Sequence, residues 1–204
     1  EILPTGTCLI LITPDSERTM CTFLGIAGKI NETDVNEDAI KKSEMILLEG
    51  YLWDEGEPKK AFIKAIKNAN KVAMSLSDKF CVDRHKTNFL DLVKNKIDIT
   101  FANEEEIMSL INAKNFNEVF DFGKAINKLL VITRGEKGAV SIKGDDFTEV
   151  GIKKNLNIVD LTGAGDLFAS GYLDGYLNNL SQKDCLEKGT DMSSKIIQQI
   201  GARL

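Results

Sequence analysis

Four short runs constrain the fold of this chain more than anything else in its sequence. Met45–Leu48, Val72–Leu76, Ile97–Ala102 and Leu129–Thr133 are rich in apolar residues, and the segments between them carry apolar residues at helical spacing. A strand with one wet face alternates apolar and polar residues, whereas a strand covered on both faces does not. Runs of this kind therefore belong to a parallel sheet with helices on either side. Between them, Pro58 to Asn70 places Ala61, Phe62, Ala65, Ile66 and Ala69 on one helical stripe. Further helices are predicted at Val35–Ser43, Asn88–Lys94, Glu104–Ile111, Glu118–Ile126, Asp166–Leu177 and Cys185–Ile200. Ala139–Ile142 and Phe147–Val150 read as a meander forming an antiparallel edge. Thr7–Thr13 and Arg18–Leu24 read as a hairpin turned by Pro14, Asp15, Ser16 and Glu17. The expected class is α/β, with a mostly parallel central sheet flanked by helices.

In an open parallel sheet, ligands bind beyond the carboxyl ends of the strands. Three such ends carry suggestive residues: Asn103-Glu-Glu-Glu106, Thr133-Arg-Gly135-Glu-Lys-Gly138, and Asn157-Ile-Val-Asp160-Leu-Thr162-Gly163-Ala164-Gly165-Asp166. The last runs from a short apolar segment, expected as a strand, through a Gly-Ala-Gly turn into a helix. Several backbone N–H groups then converge at a helix start, which favours an anion. Asp166 stands in the first turn, where the helix dipole favours a carboxylate. An anion-binding turn beside a carboxylate suits phosphoryl transfer, although an aspartate there also serves as an ordinary cap. The turn lacks the third glycine of the dinucleotide fingerprint, and the chain has no P-loop pattern.

The balance of charge narrows the partners. A net charge of -5 and a pI near 5.1 leave no basic excess for nucleic acid or for an anionic membrane, so a bound anion must be held by local geometry. No apolar run approaches a membrane span, and the first residues do not form a signal peptide. Cys8, Cys21, Cys81 and Cys185 are scattered and are expected as reduced, mostly buried thiols of a cytoplasmic protein. His85, the single histidine, is expected on a helix surface.

The three motifs, in this order and at these strand ends, resemble those of the ribokinase-like (PfkB) family of carbohydrate and nucleoside kinases. Asp160-Leu-Thr162-Gly163-Ala164-Gly165-Asp166 is similar to its D-T-x-G-A-G-D signature, with Leu161 and Thr162 in the variable middle. Asn103-x-x-Glu106 is similar to its N-x-x-E motif, and Thr133-Arg-Gly135-x-x-Gly138 to its T-x-G-x-x-G segment. Glu17-Arg18-Thr-Met, Glu49-Gly-Tyr51-Leu-Trp53-Asp54, Ser75-Leu-Ser-Asp78, Phe80 to His85 and Gly201-Ala-Arg203 resemble adenosine kinases and related bacterial sugar kinases within that family.

The resemblance implies a three-layer sandwich in which residues 1–204 form the larger, nucleotide-binding part of a kinase domain. The hairpin at about 7–24 would be part of a lid, and a further N-terminal portion holding the acceptor is expected outside this sequence. It implies transfer of the ATP γ-phosphoryl to a hydroxymethyl group of a nucleoside, adenosine favoured, or of a sugar such as ribose or fructose. Asp166 would be the base, and the N–H groups of Gly163, Ala164 and Gly165 the anion hole. Thr133, Gly135, Arg18 and Thr162 would serve the nucleotide phosphates, and Asn103 and Glu106 would hold Mg2+ through its waters. The carbonyls of Asp160 and Thr162, with Gly201 nearby, would receive a monovalent cation such as K+. Tyr51 and Trp53 are expected to pack rather than stack on a base. A homodimer is among the expected assemblies. A non-catalytic nucleotide-binding fragment is the alternative from another class.

Overall fold

The computed structural model describes residues 3–53 and 56–204, so Asp54 of the Glu49–Asp54 phrase lies outside the described residues. The strands are β1 (Thr5–Ile12), β2 (Arg18–Gly25), β3 (Ile46–Glu49), β4 (Val72–Ser75), β5 (Ile99–Asn103), β6 (Leu129–Thr133), β7 (Ala139–Lys143) and β8 (Asp146–Val150). The helices are α1 (Glu37–Lys42), α2 (Glu57–Asn68), α3 (Lys79–Asn95), α4 (Glu104–Ile111), α5 (Phe116–Ile126), α6 (Ala164–Leu177) and α7 (Gln182–Ile196). β3 to β8 form one six-stranded sheet in sequence order, and β1 and β2 form a separate two-stranded sheet. β3 pairs with β4 and β4 with β5 in parallel, with Leu48 opposite Met74 and Met74 opposite Thr100. Only Gly144 and Asp145 separate β7 from β8, and a connection that short joins strands running in opposite directions. The mostly parallel sheet with an antiparallel edge is the architecture the apolar runs imply.

The chain divides into two compact units. The first comprises the residues before Thr7 with Leu24–Ile132 and Ile142–Phe147; the second comprises Thr7–Phe23, Thr133–Ser141 and Thr148–Leu204. Within the first, Met74, Leu76, Phe89, Ile97, Ile99, Ile107, Leu110 and Leu130 are fully buried, so the apolar runs at β4, β5 and β6 lie in the core, whereas β3 is only part-buried with Leu47 exposed. Trp53 packs edge-on against Phe62 at 5.0 Å between ring centroids and is buried, as expected. Tyr51 is not: its residue is 45% exposed. Within the second unit, α6 and α7 meet almost backbone to backbone. A Cβ on Gly171 would stand 2.6 Å from the Lys188 carbonyl oxygen, and one on Gly189 would stand 2.8 Å from that of Phe168. Tyr172, Cys185, Leu186 and Ile196 fill the space beside this crossing.

Four expectations need correction. Helix α3 begins nine residues earlier than the predicted Asn88, because Asp78 caps it by accepting from the Phe80 N–H at 2.9 Å. His85 is buried rather than exposed. It breaks the helical dihedrals of α3 (φ -116°, ψ 21°) and lies 5.7 Å from the Phe89 ring. Cys81, His85 and Phe89 share one buried stripe at a spacing of four, which the polar neighbours Asp83, Arg84 and Lys86 disguise. Cys81 and Cys185 are buried, but Cys8 and Cys21 are exposed on the two-stranded sheet; none of the four forms a disulfide. Asn157–Val159 is not a strand. The N–H groups of Val159 and Asp160 instead both donate to the Ile197 carbonyl, at 2.8 and 3.3 Å, so the end of α7 takes the place of a neighbouring strand.

Candidate active site

The turn into α6 is built around Asp160. This residue is 1% exposed, and its carboxylate accepts three hydrogen bonds. Oδ1 receives the Thr162 N–H (2.8 Å) and the Thr162 hydroxyl (2.6 Å), and Oδ2 receives the Gly201 N–H (2.9 Å). Burial alone would push the Asp160 pKa up. The bonds from Thr162 and Gly201, with the charge of Arg18, outweigh it and hold the carboxyl below its ordinary range. Asp160 thus ties the turn to the C-terminal segment. The chain then passes through Gly163 in the left-handed region (φ 79°), with Ala202 close enough that an added Cβ would meet its Cβ at 3.0 Å.

Gly163 is the N-cap of α6, and among the described residues no side chain caps this helix. The Ala164 N–H donates to the Leu161 carbonyl at 3.2 Å, and the Leu167 N–H to the Gly163 carbonyl at 2.9 Å. Among the described residues the N–H groups of Gly163, Gly165 and Asp166 have no protein acceptor. Of the three amides expected to meet an anion, that of Ala164 donates within the turn, and that of Asp166 stands open beside those of Gly163 and Gly165. Asp166 itself is exposed, and its carboxylate accepts no hydrogen bond from another described residue. It is not acting as a helix cap.

Thr133 ends β6, and Gly135 opens the short 3-10 turn Gly135–Lys137 with φ 55°. The Arg134 N–H donates to the Gly138 carbonyl at 2.8 Å, and the Gly138 N–H to the Gly135 carbonyl at 3.0 Å. Gly138 cannot be replaced without strain: its φ is 87°, and a Cβ there would lie 2.0 Å from the Val150 carbonyl oxygen. Gly138→Ala is expected to cost about 3 kcal/mol from backbone strain and overpacking together. Urea unfolding of the variant checks this, and a cost within about 0.5 kcal/mol would show that the turn yields freely. Arg18 opens β2 and is exposed. Arg18, Thr133, Gly135, Asp160 and Thr162 to Asp166 all belong to the second unit, while Asn103 and Glu106 belong to the first.

In the first unit, β5 runs straight into α4, with Asn103 as both last strand residue and N-cap. Asn103 and Glu106 bind each other. The Asn103 side-chain oxygen accepts from the Glu106 N–H at 2.8 Å, while Glu106 accepts from the Asn103 N–H (2.9 Å) and side-chain amide (2.7 Å). This is a capping box, so the motif has a complete structural explanation at this spot. Among the described residues no group of three or more His, Cys, Asp or Glu side chains forms a metal-binding cluster. Each Glu106 oxygen accepts one bond and keeps one lone pair, which fits a hydrated ion held through its waters and not a preformed inner shell.

Glu106 is 6% exposed, and burial pushes its pKa up to about 7. The Asn103 N–H opposes the shift; the carboxylates of Asp78, Glu105 and Glu49 add to it. A carboxyl raised in the folded state favours folding most below its unfolded pKa, and that contribution is lost as pH rises through the folded pKa. The difference between 4.5 and about 7 corresponds to about 3 kcal/mol lost between these pH values. Urea unfolding from pH 4.5 to 8 should show this fall, and Glu106→Gln should flatten it. An equal slope in the variant would mean that Glu106 ionises normally.

A match to the pfkB family of carbohydrate kinases runs from residue 2 to residue 204. The chain belongs to that family. An adenosine kinase of Dictyostelium discoideum is 30% identical over 220 residues, covering 98% of this chain and 64% of the relative. The structure of a probable sugar kinase from Rhizobium etli superposes with a TM-score of 0.94 at 40% identity, covering 98% of this chain and 62% of that one. That of an adenosine kinase from Sinorhizobium meliloti gives 0.94 at 36% identity, covering 98% and 63%. The chain thus spans less than two thirds of the length of each of these pfkB relatives. No helix among the described residues is long and apolar enough to cross a membrane.

Two features of this pfkB chain escape a reading of its motifs. Asp160 enters that reading through its carbonyl, whereas its side chain holds the turn; the Asp-x-Thr spacing is the sequence signal for such a bond. Glu49 ends β3, and its carboxylate accepts from the Ser77 hydroxyl at 3.1 Å and raises the Glu106 pKa. No local spacing connects Glu49 with residue 77 or 106, because parallel strands bring the three together.

Proposed function

We propose that this chain carries the nucleotide-handling part of an ATP-dependent kinase acting on the hydroxymethyl group of a nucleoside, with adenosine the favoured acceptor. The observation that carries the proposal is the start of α6, where three N–H groups without protein acceptors stand beside an exposed, uncapped Asp166. In the reaction the acceptor oxygen forms a bond to the γ-phosphorus, the bond from that phosphorus to the β,γ-bridging oxygen breaks, and ADP leaves. The transition state is loose, so proton removal is late and a carboxylate suffices as base. Asp166 orients the hydroxyl and takes its proton. Gly163, Gly165 and Asp166 donate N–H bonds to the oxygens of the moving group. Arg18 offers a guanidinium fork to the γ-phosphate, and Thr133, Gly135 and Thr162 serve the remaining phosphate oxygens.

Mg2+, when bound with ATP, neutralises phosphate charge, and the acidic surroundings of Glu106 favour a hydrated dication there. The Asp160 and Thr162 carbonyls accept no hydrogen bond within the described second unit and suit a monovalent cation such as K+.

Adenosine is favoured because two relatives described by that activity align over nearly the whole chain. The 40% identity to a probable sugar kinase supports a second reading, a sugar as acceptor. Transfer of radiolabelled γ-phosphate by the full-length protein to adenosine, other nucleosides, ribose and fructose separates them. Adenosine should be the fastest acceptor. A faster sugar would establish the second reading, and no labelled product from any acceptor would leave a nucleotide-binding fragment.

A further inference from the structure

The hairpin turn between β1 and β2 contains a serine in an unusual setting. Ser16 has φ 67°, is buried, and donates its hydroxyl to the Ile158 carbonyl at 3.0 Å. Residues with side chains avoid the left-handed region, and glycine, asparagine or aspartate occupy it at lower cost. The turn is otherwise closed by its own bonds, Ser16 N–H to the Thr13 carbonyl and Thr13 N–H to the Glu17 carbonyl, both 2.9 Å. A glycine would satisfy both of these. What serine adds is the hydroxyl, and its one acceptor is a carbonyl 142 positions further along the chain.

That carbonyl belongs to the extended segment leading into Asp160. Val159 and Asp160 are held from one side by the Ile197 carbonyl. Ser16 holds the residue before them. Two positions beyond Ser16 stands Arg18, two positions beyond Ile158 stands Asp160, and the charge of Arg18 lowers the Asp160 pKa. The Ser16–Ile158 bond is therefore the rung that fixes the hairpin on the segment where Arg18 acts. All four residues lie within the second unit.

We propose that Ser16 is a positioning residue for Arg18, setting the guanidinium over the anion-binding turn through its bond to the Ile158 carbonyl. The functional part rests on the kinase proposal above; the docking itself does not. Ser16→Gly in the full-length protein is the informative variant, since it removes the hydroxyl while relieving the backbone, and Ser16→Ala is its companion. Hydrogen exchange is read first. Both variants should raise amide exchange about tenfold in residues 13–18 and 158–160 without lowering the urea midpoint of Ser16→Gly, the size expected for loss of one such bond. Unchanged exchange in both would overturn the proposal.

Kinetics are read next, in a cycle with Arg18→Gln. Ser16→Gly should lower kcat/KM for ATP about five- to tenfold when Arg18 is present and less than about twofold when it is absent. An equal fall in both backgrounds would make Ser16 a general structural residue and overturn its link to Arg18. Altered exchange in a protein whose wild type transfers no phosphate would uphold the docking and reject the kinase proposal, so the two failures are distinguishable.

Discussion

Replacing Asp166 with asparagine in the full-length protein is expected to slow phosphoryl transfer by about 10²- to 10⁴-fold, the usual range for loss of a general base. Asparagine keeps the size of the side chain and removes the site for the proton. Because Asp166 is exposed and caps nothing, urea unfolding should show a loss of no more than about 1 kcal/mol, the share of its carboxylate in the helix dipole. That combination separates chemistry from folding. A fall of less than about tenfold would mean that Asp166 does not act as the base.

Asp160→Ala should act in the opposite manner, reducing stability and transfer together. The substitution removes an acceptor of three hydrogen bonds at a site that is 1% exposed, and leaves the Thr162 and Gly201 N–H groups without their partner. Bonds to an ionised group are worth about 1.5–3 kcal/mol each, and they do not add fully, so a loss of about 3–5 kcal/mol is expected in urea unfolding. The pH dependence carries a signature. Since the folded Asp160 pKa is lowered, its contribution is present above the ordinary carboxylate pKa and is lost as pH falls through the folded value. Wild type should lose this stability in acid, whereas Asp160→Ala should lack that component. A cost below about 1 kcal/mol would show that Ile197 and the α6–α7 packing hold the turn without Asp160.

The apolar runs point to β4, β5 and β6 because burial on both faces removes polar residues from a strand, and this needs no knowledge of partners; the run at β3 is equally apolar although that strand is only part-buried, with Leu47 44% exposed. The same logic failed for Asn157–Val159, which is just as apolar over two residues but pairs with the end of a helix. His85 reads as a surface residue from its polar sequence neighbours, but it shares a buried stripe with Cys81 and Phe89. Within the candidate site, the glycine spacing announced the turn at Gly163. Which amides remain open depends on the Leu161 carbonyl, a detail that no residue type encodes. Glu49, Ser16 and the Asp160–Gly201 bond depend on long-range contacts, at separations of 28, 142 and 41 positions. Side chains that position a site across such distances leave little local pattern.

In the proposed kinase the turn before α6 receives the transferring phosphoryl group through its backbone. This is tested most directly by amide nuclear magnetic resonance of the full-length protein with ADP, aluminium fluoride and adenosine, a mimic of the moving phosphoryl. The N–H signals of Gly163, Gly165 and Asp166 should shift most, with Ala164 moving less because its N–H is held by Leu161. Binding of the same mixture with those three signals unmoved would contradict it.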